Sequence, residues 1–351
     1  MIKMTSSPKD KTIPVRLQDI AAHLSLSQST VSRALAGHPA ISEPTRQAVQ
    51  SAAATLGFRF GAGARRQRKS TSRMIGVVVG ALHNSFMTLL LEELHNAFAE
   101  YGYHTTLIID SLNEIEQLPT FRPLIDGYFE GMVFATATLD SQIIPELHKR
   151  GMPLVLVVRS VDSVTIDTVE IDNFHAGVEA ARHLLELGHR RVGMVLGPQN
   201  TSTSRDRAKG ILSVLSTPDC GRVPCLWGPY TTEHGYSSTI QMLAGDSKVT
   251  AIIAGNDTVA LGILEAAAQS GVKVPEQLSV IGFDDNPLSG SPLIGLTTIR
   301  QPVVTMARTA ARRLVERLRA RNLTSATRDV LPTQLIKRRT TAPLRQESES
   351  S

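Results

Sequence analysis

Apolar residues near the start of the chain recur at helical spacing. Leu17, Ile20, Ala21 and Leu24 fall three or four apart and give a first short helix one apolar face. Ser25 and Leu26 read as a turn. Ser27 suits the N-cap of a second helix over 28–36, because its hydroxyl can accept a backbone N–H that the first turn leaves without a partner. In that helix Val31 and Leu35 point inward, while Gln28, Ser29, Ser32 and Arg33 stay outside. Gly37 and Pro39 stop it. Ser42 caps a third helix over 43–56, with Pro44 tolerated in its first turn and Gly57 at its end. Three helices this short must share one core, built from Ile20, Val31, Leu35, Ile41, Val49 and Leu56.

From residue 74 the pattern changes. Short apolar runs (IGVVV, TTLIID, GMVFAT, PLVLVV, RVGMVL, TAIIAG, LSVIGF) alternate with longer amphipathic stretches such as FMTLLLEELHNAFAEYGY. Strands with crossover helices argue for parallel sheets covered on both faces. So long a run of this pattern suits two doubly wound lobes better than one, with a ligand cleft beyond the carboxyl ends of the strands. The chain has 351 residues, so more than one folding unit is expected.

Charge separates the two regions. Residues 1–73 carry twelve Lys or Arg against three Asp or Glu, net +9; the remainder carries 25 basic and 29 acidic residues, net −4. A basic head on a mildly acidic body is the electrostatic footprint of nucleic-acid binding. Short polar side chains leading the second helix of a tight helix-turn-helix suit insertion into the major groove. Cys220 and Cys225 are the only cysteines and lack a His cluster, which makes a poor zinc site. The ten histidines show no metal-ligand spacing, so neither metal nor cofactor is expected. The opening residues lack a secretory core and no long apolar run follows, so the expectation is a cytoplasmic protein that does not span a membrane. Catalytic signatures (GxGxxG after a strand, GxxxxGK[ST], GxSxG, HExxH) are missing. Asp284 and Asp285 form a tempting acidic pair, but neighbours after a strand point to different sides, which argues against joint acid–base work. An enzyme is not expected.

The segments LQDIAAHLSLSQSTVSRALAG and ISEPTRQAVQSAAATLGF resemble the DNA-binding head of LacI/GalR-family regulators. The resemblance continues through EIDNFHAGVEAARHLLELGHRRVGMVLGP, AGNDTVALGILEAA and LSVIGFDDNPLSGSPLIGLTTIRQP, and spans roughly residues 15–339. It implies a helix-turn-helix (three-helix) all-α head over 14–60, a hinge over 61–73 and an effector-binding and dimerisation core over 74–340. That core is an α/β periplasmic-binding-protein-like (type I) fold of two doubly wound parallel-sheet lobes. Three crossings between lobes are expected near Arg159, Asn286 and Leu323, giving one lobe of about 74–160 with 300–322 and another of about 161–299 with 323–340. Residues 341–351 read as a flexible tail.

The resemblance places Gln28, Ser29 and Arg33 at base edges and Thr30 and Ser32 on phosphate, with backbone N–H groups near Ser27. The hinge departs from the family pattern: Gln67 stands where a leucine wedge is expected, and two glycines weaken a helix. Either Arg65, Arg66 and Arg68 carry the minor-groove contact or the segment orders poorly. For the effector, matching positions are Asn84, Phe86, Arg159, Arg205, Tyr230, Asn256, Asp257 and Asp284. Four of these have a plain alternative: an N-cap for Asn256 or Asp257, an interlobe salt bridge for Arg205, core packing for Tyr230. Asp172 and Asn173 read equally well as caps. Apolar helix faces around 89–94 and 261–268 are candidates for a dimer surface or for the subunit's own core.

These readings lead to a homodimeric transcription repressor that binds a palindromic double-stranded operator and is controlled by a small hydroxylated metabolite (sugar, sugar acid or nucleoside-like). A sugar-capturing solute-binding protein is the alternative; it would need an export signal and no basic head.

Overall fold

The computed structural model describes residues 17–35, 38, 40–56, 72–110, 128–245, 248–320 and 325–344. They form two compact units, a helical head and a two-lobed core.

The head consists of α1 (Leu17–Leu24), α2 (Gln28–Leu35) and α3 (Glu43–Thr55). Ile20, Val31, Ala34 and Val49 are fully buried at its centre, and Leu17, Leu24, Leu26, Leu35, Ile41 and Leu56 close over them. Ala34 therefore shares the inward face with Val31, three residues on, and Leu35 is only half-buried. Ser25 takes a left-handed backbone (φ 52°), which reverses the chain, and the Leu26 N–H donates to the Ala21 carbonyl at 2.9 Å. The Ser27 Oγ accepts the Thr30 N–H at 3.1 Å, so the predicted cap is present. Gly37, Pro39 and Gly57 lie outside the described residues.

In the core, β1 (Met74–Val79), β2 (His104–Ile109), β3 (Gly131–Phe134), β4 (Leu154–Val157), β5 (Asp167–Ile171) and β11 (Arg328–Leu331) make the first sheet, in the order β11-β5-β4-β3-β1-β2, all parallel. The second sheet holds β6 (Val192–Leu196), β7 (Cys225–Trp227), β8 (Ala251–Ala254), β9 (Ser279–Asp284), β10 (Thr297–Arg300) and β12 (Gln334–Ile336), in the order β12-β10-β9-β8-β6-β7. There only β12 runs antiparallel. Central strands are buried on both faces, as crossover helices require.

Helices α4 (Ser85–Glu100) and α10 (Val303–Arg319) pack together over the first sheet, with Leu90, Leu94, Phe98, Met306 and Leu314 in one core cluster. A shorter helix, α5 (Ile143–Lys149), links β3 to β4. On the second lobe α6 (Asn173–Glu186) packs against α7 (Ser202–Leu215), and α8 (Thr232–Ala244) against α9 (Asp257–Gln269). The α6–α7 contact is backbone-close: a Cβ at Gly210 would collide with the Phe174 carbonyl oxygen. Leu90 and Leu94 from the 89–94 face, and Ile263 and Ala267 from the 261–268 face, are fully buried within their own lobes.

The chain changes lobe at Asp172, at Gln301–Pro302 and between β11 and β12, not near Arg159 or Asn286; Leu323 lies outside the described residues. Strands β5 and β11 thus belong to the first lobe rather than the second. Both carry charges that hid them. Asp167 pairs with Arg317 on α10 and accepts the Thr327 N–H at 2.7 Å, and Glu170 meets Arg328 at 2.7 Å. A carboxylate can be buried in a sheet when it is paired and hydrogen-bonded. The end of the core also moves. Residues 341–344 are packed rather than loose: Thr341 Oγ1 lies 3.0 Å from His183 Nε2, the Ala342 carbonyl 3.0 Å from His189 Nε2, and the Leu344 N–H donates to Leu187 at 2.8 Å.

Candidate functional site

Two sites are built from these elements, one in each unit. On the head, the outer face of α2 presents Gln28, Ser29, Ser32 and Arg33 to solvent, and Thr30 is half-buried. Ser27 Oγ stands 2.8 Å from both Ser29 Oγ and Thr30 Oγ1, so a hydroxyl cluster surrounds the helix N-terminus. Backbone N–H groups and the positive end of the helix dipole favour an anion there. The hinge residues Arg65, Arg66, Gln67 and Arg68 lie outside the described residues.

In the core, a cavity of about 810 Å³ opens between the lobes, lined by the loops that follow the carboxyl ends of the strands. Of the expected effector residues, Asn84, Phe86, Arg159, Tyr230, Asn256 and Asp284 line it; Arg205 and Asp257 do not. Asn84 Oδ1 also caps α4 through the Phe86 N–H (3.1 Å), and Asn256 Oδ1 caps α9 through the Val259 N–H (2.9 Å). Asp172 caps α6.

Arg205 forms the interlobe salt bridge that was its alternative, with NH1 2.7 Å from Asp162 Oδ2 and Nε 2.8 Å from Asp206. The Leu139 N–H donating to Asn200 O (2.8 Å) and the Ser160 N–H donating to Ser202 Oγ (2.9 Å) join the lobes along the same side. The arginine that enters the cavity is Arg207. Two residues along a helix turn about 200°, so Arg205 and Arg207 face nearly opposite ways. Arg207 shares the buried stripe of α7 with Thr203, Ile211 and Leu215, and that spacing was the signal for it. Its Nε donates to Asn173 Oδ1 at 2.9 Å and its NH1 to the Gly255 carbonyl at 2.5 Å. The guanidinium lies over the Phe283 ring, 4.4 Å from its centroid.

Asp257 is fully buried beneath the cavity. It accepts hydrogen bonds from Thr298 Oγ1 (2.6 Å), Ser289 Oγ (2.7 Å) and the Asn286 N–H (3.0 Å), which makes it a strut tying the β9–β10 loop to α9. Asp284 stands in the cavity and Asp285 outside it, the latter paired with Arg300 and Arg338 at 2.6 Å each. Both hold positive φ, 120° and 56°, a twist that sends the two side chains apart.

The first-lobe wall is a polar chain. Arg159 NH1 donates to the Thr136 carbonyl (3.1 Å), and Thr136 Oγ1 donates to Asp110 Oδ2 (3.1 Å). Burial pulls the Arg159 guanidinium below its ordinary pKa, with Tyr230 and Asp110 opposing. Tyr230 is anchored by Ser204 Oγ (2.6 Å) and Thr203 Oγ1 (3.1 Å), and its ring rests on Gly197 with Arg159 5.7 Å from the centroid.

Burial pushes Asp284 up to about 8, with the Asp257 charge adding to the shift and Arg207 opposing it. An unfolded aspartate titrates near ~3.9. A group whose folded pKa is raised stabilises the fold below its unfolded value, and that stability is lost as pH rises through the folded value. His183 and His189 are shifted down by burial, so they titrate at or below ~6.5 in both states. The melting midpoint of the core should therefore fall between about pH 6.5 and 8, and the fall should be smaller in Asp284→Asn. Equal slopes in both proteins by scanning calorimetry would remove Asp284 as the source.

A polar face on the second helix of a helix-turn-helix, together with a two-lobed core that carries a central cavity, is the plan of a DNA-binding regulator. Comparison with known proteins agrees. Residues 16–59 match the model for bacterial regulatory proteins of the lacI family, and residues 181–341 match the periplasmic binding protein-like domain. The chain is 33% identical over 347 residues to an uncharacterized HTH-type transcriptional regulator in the aml 5′ region of Streptomyces limosus (96% of this chain, 97% of that protein). It is 30% identical over 341 residues to the HTH-type transcriptional repressor CytR of Escherichia coli (96% and 99%). Among solved structures, the transcriptional regulator CelR–cellobiose complex superposes with TM-score 0.70 at 27% identity (93% of this chain, 99% of that one). The lac repressor dimer bound to operator and the anti-inducer ONPF gives 0.69 at 25% (94% and 100%). The chain belongs to the lacI family of bacterial regulatory proteins and is a DNA-binding transcriptional regulator.

Proposed function

We propose that this regulator is a homodimeric repressor that reads a two-fold symmetric operator and releases or grips it according to a hydroxylated metabolite held between the lobes. The observation that carries the reading is the exposed row of Gln28, Ser29, Ser32 and Arg33 on a helix whose other face is locked into the head's core. Gln can pair with adenine and Arg with guanine, while Ser27 and Thr30 favour phosphate. Arg65, Arg66 and Arg68 are assigned to the minor groove, with Gln67 a poorer wedge than an apolar side chain. The similar lac repressor dimer on its operator supports the symmetric mode, and the similar complex with cellobiose supports a carbohydrate-like effector. The cavity and the interlobe bonds beside it supply the coupling: a ligand that prefers one lobe arrangement shifts DNA affinity by its differential binding. The site of action is the cytoplasm, at the chromosome.

Footprinting of the full chain on DNA from its own upstream region tests this. The expected result is one protected segment with two-fold related halves, whose midpoint concentration changes when a metabolite that raises the protein's melting temperature is added. Uniform protection without a preferred site would overturn the reading.

A further inference from the structure

Three features of the cleft bear on what it holds. The first is its size. Asp110 follows β2 and Arg159 follows β4, and three strand spacings separate those strands; Trp227 ends β7 and Gln301 follows β10, four spacings apart. At ~4.8 Å per spacing the walls run about 14 and 19 Å from end to end. The volume of about 810 Å³ lies well up the range of ~300–1,000 Å³ for small-molecule sites. One pyranose ring spans roughly three C–C bonds of ~1.5 Å, about 5 Å. Even after side chains reach in from both ends, the cleft has room for two rings in line.

The second feature is an excess of acceptors. Gln301 is 4% exposed and lines the cavity from the lobe crossing. Its Nε2 donates to Asp284 Oδ1 at 2.7 Å, and its Oε1 is buried with no hydrogen-bond partner among the described residues. A buried acceptor left unmet is costly, and a ligand hydroxyl placed there would remove the penalty. The Asp284 carboxyl, protonated below about pH 8 yet still able to accept, and the Asp110 carboxylate also face the cavity. A hydroxyl can donate to all three; a phosphate or carboxylate can only accept.

The third is how the cations are held. The two guanidiniums of the cleft are already engaged, Arg207 with Asn173, Gly255 and the Phe283 ring and Arg159 with Thr136. Arg159 also feels the Asp110 carboxylate, whereas Asp284, pushed up to about 8, is an uncharged carboxyl at neutral pH. Neither guanidinium is held open as a fork for an anionic ligand. Aromatic faces are equally committed: Phe283 is covered by Arg207, Tyr230 rests on Gly197, and Phe86 is buried. Half-exposed Trp227 is the open platform that remains among the aromatics lining the cavity, enough for one sugar face and poor for sandwiching a nucleobase.

We infer that the cleft takes a neutral glycoside of two sugar rings whose hydroxyls donate to Gln301 Oε1, Asp284 and Asp110. The inference rests on the proposal that the cleft is the effector site, and narrows it from hydroxylated metabolites in general to one class.

Isothermal titration of the full chain tests it with maltose, cellobiose, lactose, trehalose, sucrose and melibiose, their constituent hexoses, lactobionate and maltobionate, and adenosine and cytidine. At least one disaccharide should bind at least tenfold more tightly than its constituent hexoses and than either bionic acid. Gln301→Met should weaken that disaccharide at least tenfold with the melting temperature of the free protein little changed; Gln301→Glu, which keeps an acceptor, should weaken it less. A hexose, bionic acid or nucleoside that binds as tightly as any disaccharide and shifts operator affinity would overturn the inference while leaving the cleft as the effector site. No binding by any compound, with operator affinity unmoved throughout, would overturn both.

Discussion

Replacing Asp257 with alanine should cost the core about 3–5 kcal/mol, because a stranded buried donor costs ~1–3 kcal/mol and three donors lose their acceptor together. Among the described residues Thr298 Oγ1 and the Asn286 N–H have no other hydrogen bond; Ser289 Oγ retains Asn286 Oδ1 at 3.1 Å. One gain offsets part of the loss. Burial pushes Asp257 up to about 6, and removing its charge lets Asp284 titrate lower. Urea denaturation followed by tryptophan fluorescence checks the outcome: the midpoint should drop with little change in slope. Asp257→Asn keeps the shape and two or more of the bonds, so its loss should be smaller. The family pattern places Asp257 among ligand contacts, and this measurement separates the two roles. A protein of unchanged stability that no longer binds its effector would restore the ligand role and remove the strut.

Most of the fold was legible because its elements obey simple periods. The seven apolar runs all became strands, and the three head helices end within a residue of the spans their caps and breakers predict. The strands that escaped notice were β5, β7, β10, β11 and β12. β5 and β11 carry charges that look like surface until the partners Arg317, Arg328 and Arg313 are known. β7 is three half-buried residues, too short to show alternation. Missing β5 and β11 displaced the crossings expected near Arg159 and Leu323, and missing β10 the one expected near Asn286. The cavity was read with similar unevenness. Arg159, just past one of the apolar runs, and Asp284, at the end of another, are legible in the sequence; Gln301 follows β10 and Trp227 ends β7, and neither strand shows such a run. The choice of Arg205 over Arg207 was an error of helix phase, since alignment to a pattern gives the neighbourhood of a residue and the buried stripe of α7 gives its direction.

The largest effect on DNA is expected at Arg33. Its place near the end of α2, exposed beside Gln28 and Ser29, leaves the guanidinium outside the head's own packing, so a truncation should leave the fold intact. Arg33→Ala should weaken operator binding by about 1–3 kcal/mol per half-site, the worth of one bidentate base contact, and relax the base preference at a single position in each half. Random-sequence DNA should lose far less, and the slope of log affinity against log salt should change by at most about 0.9 per arginine that also neutralises a phosphate. Arg33→Lys separates the two contributions, since lysine keeps the charge and lacks the planar fork that matches a guanine edge. Lysine should therefore preserve the salt slope and lose most of the discrimination. Equal losses on operator and random DNA in both variants, measured by fluorescence anisotropy across a salt series, would make Arg33 a phosphate anchor and leave base reading to Gln28 and Ser29.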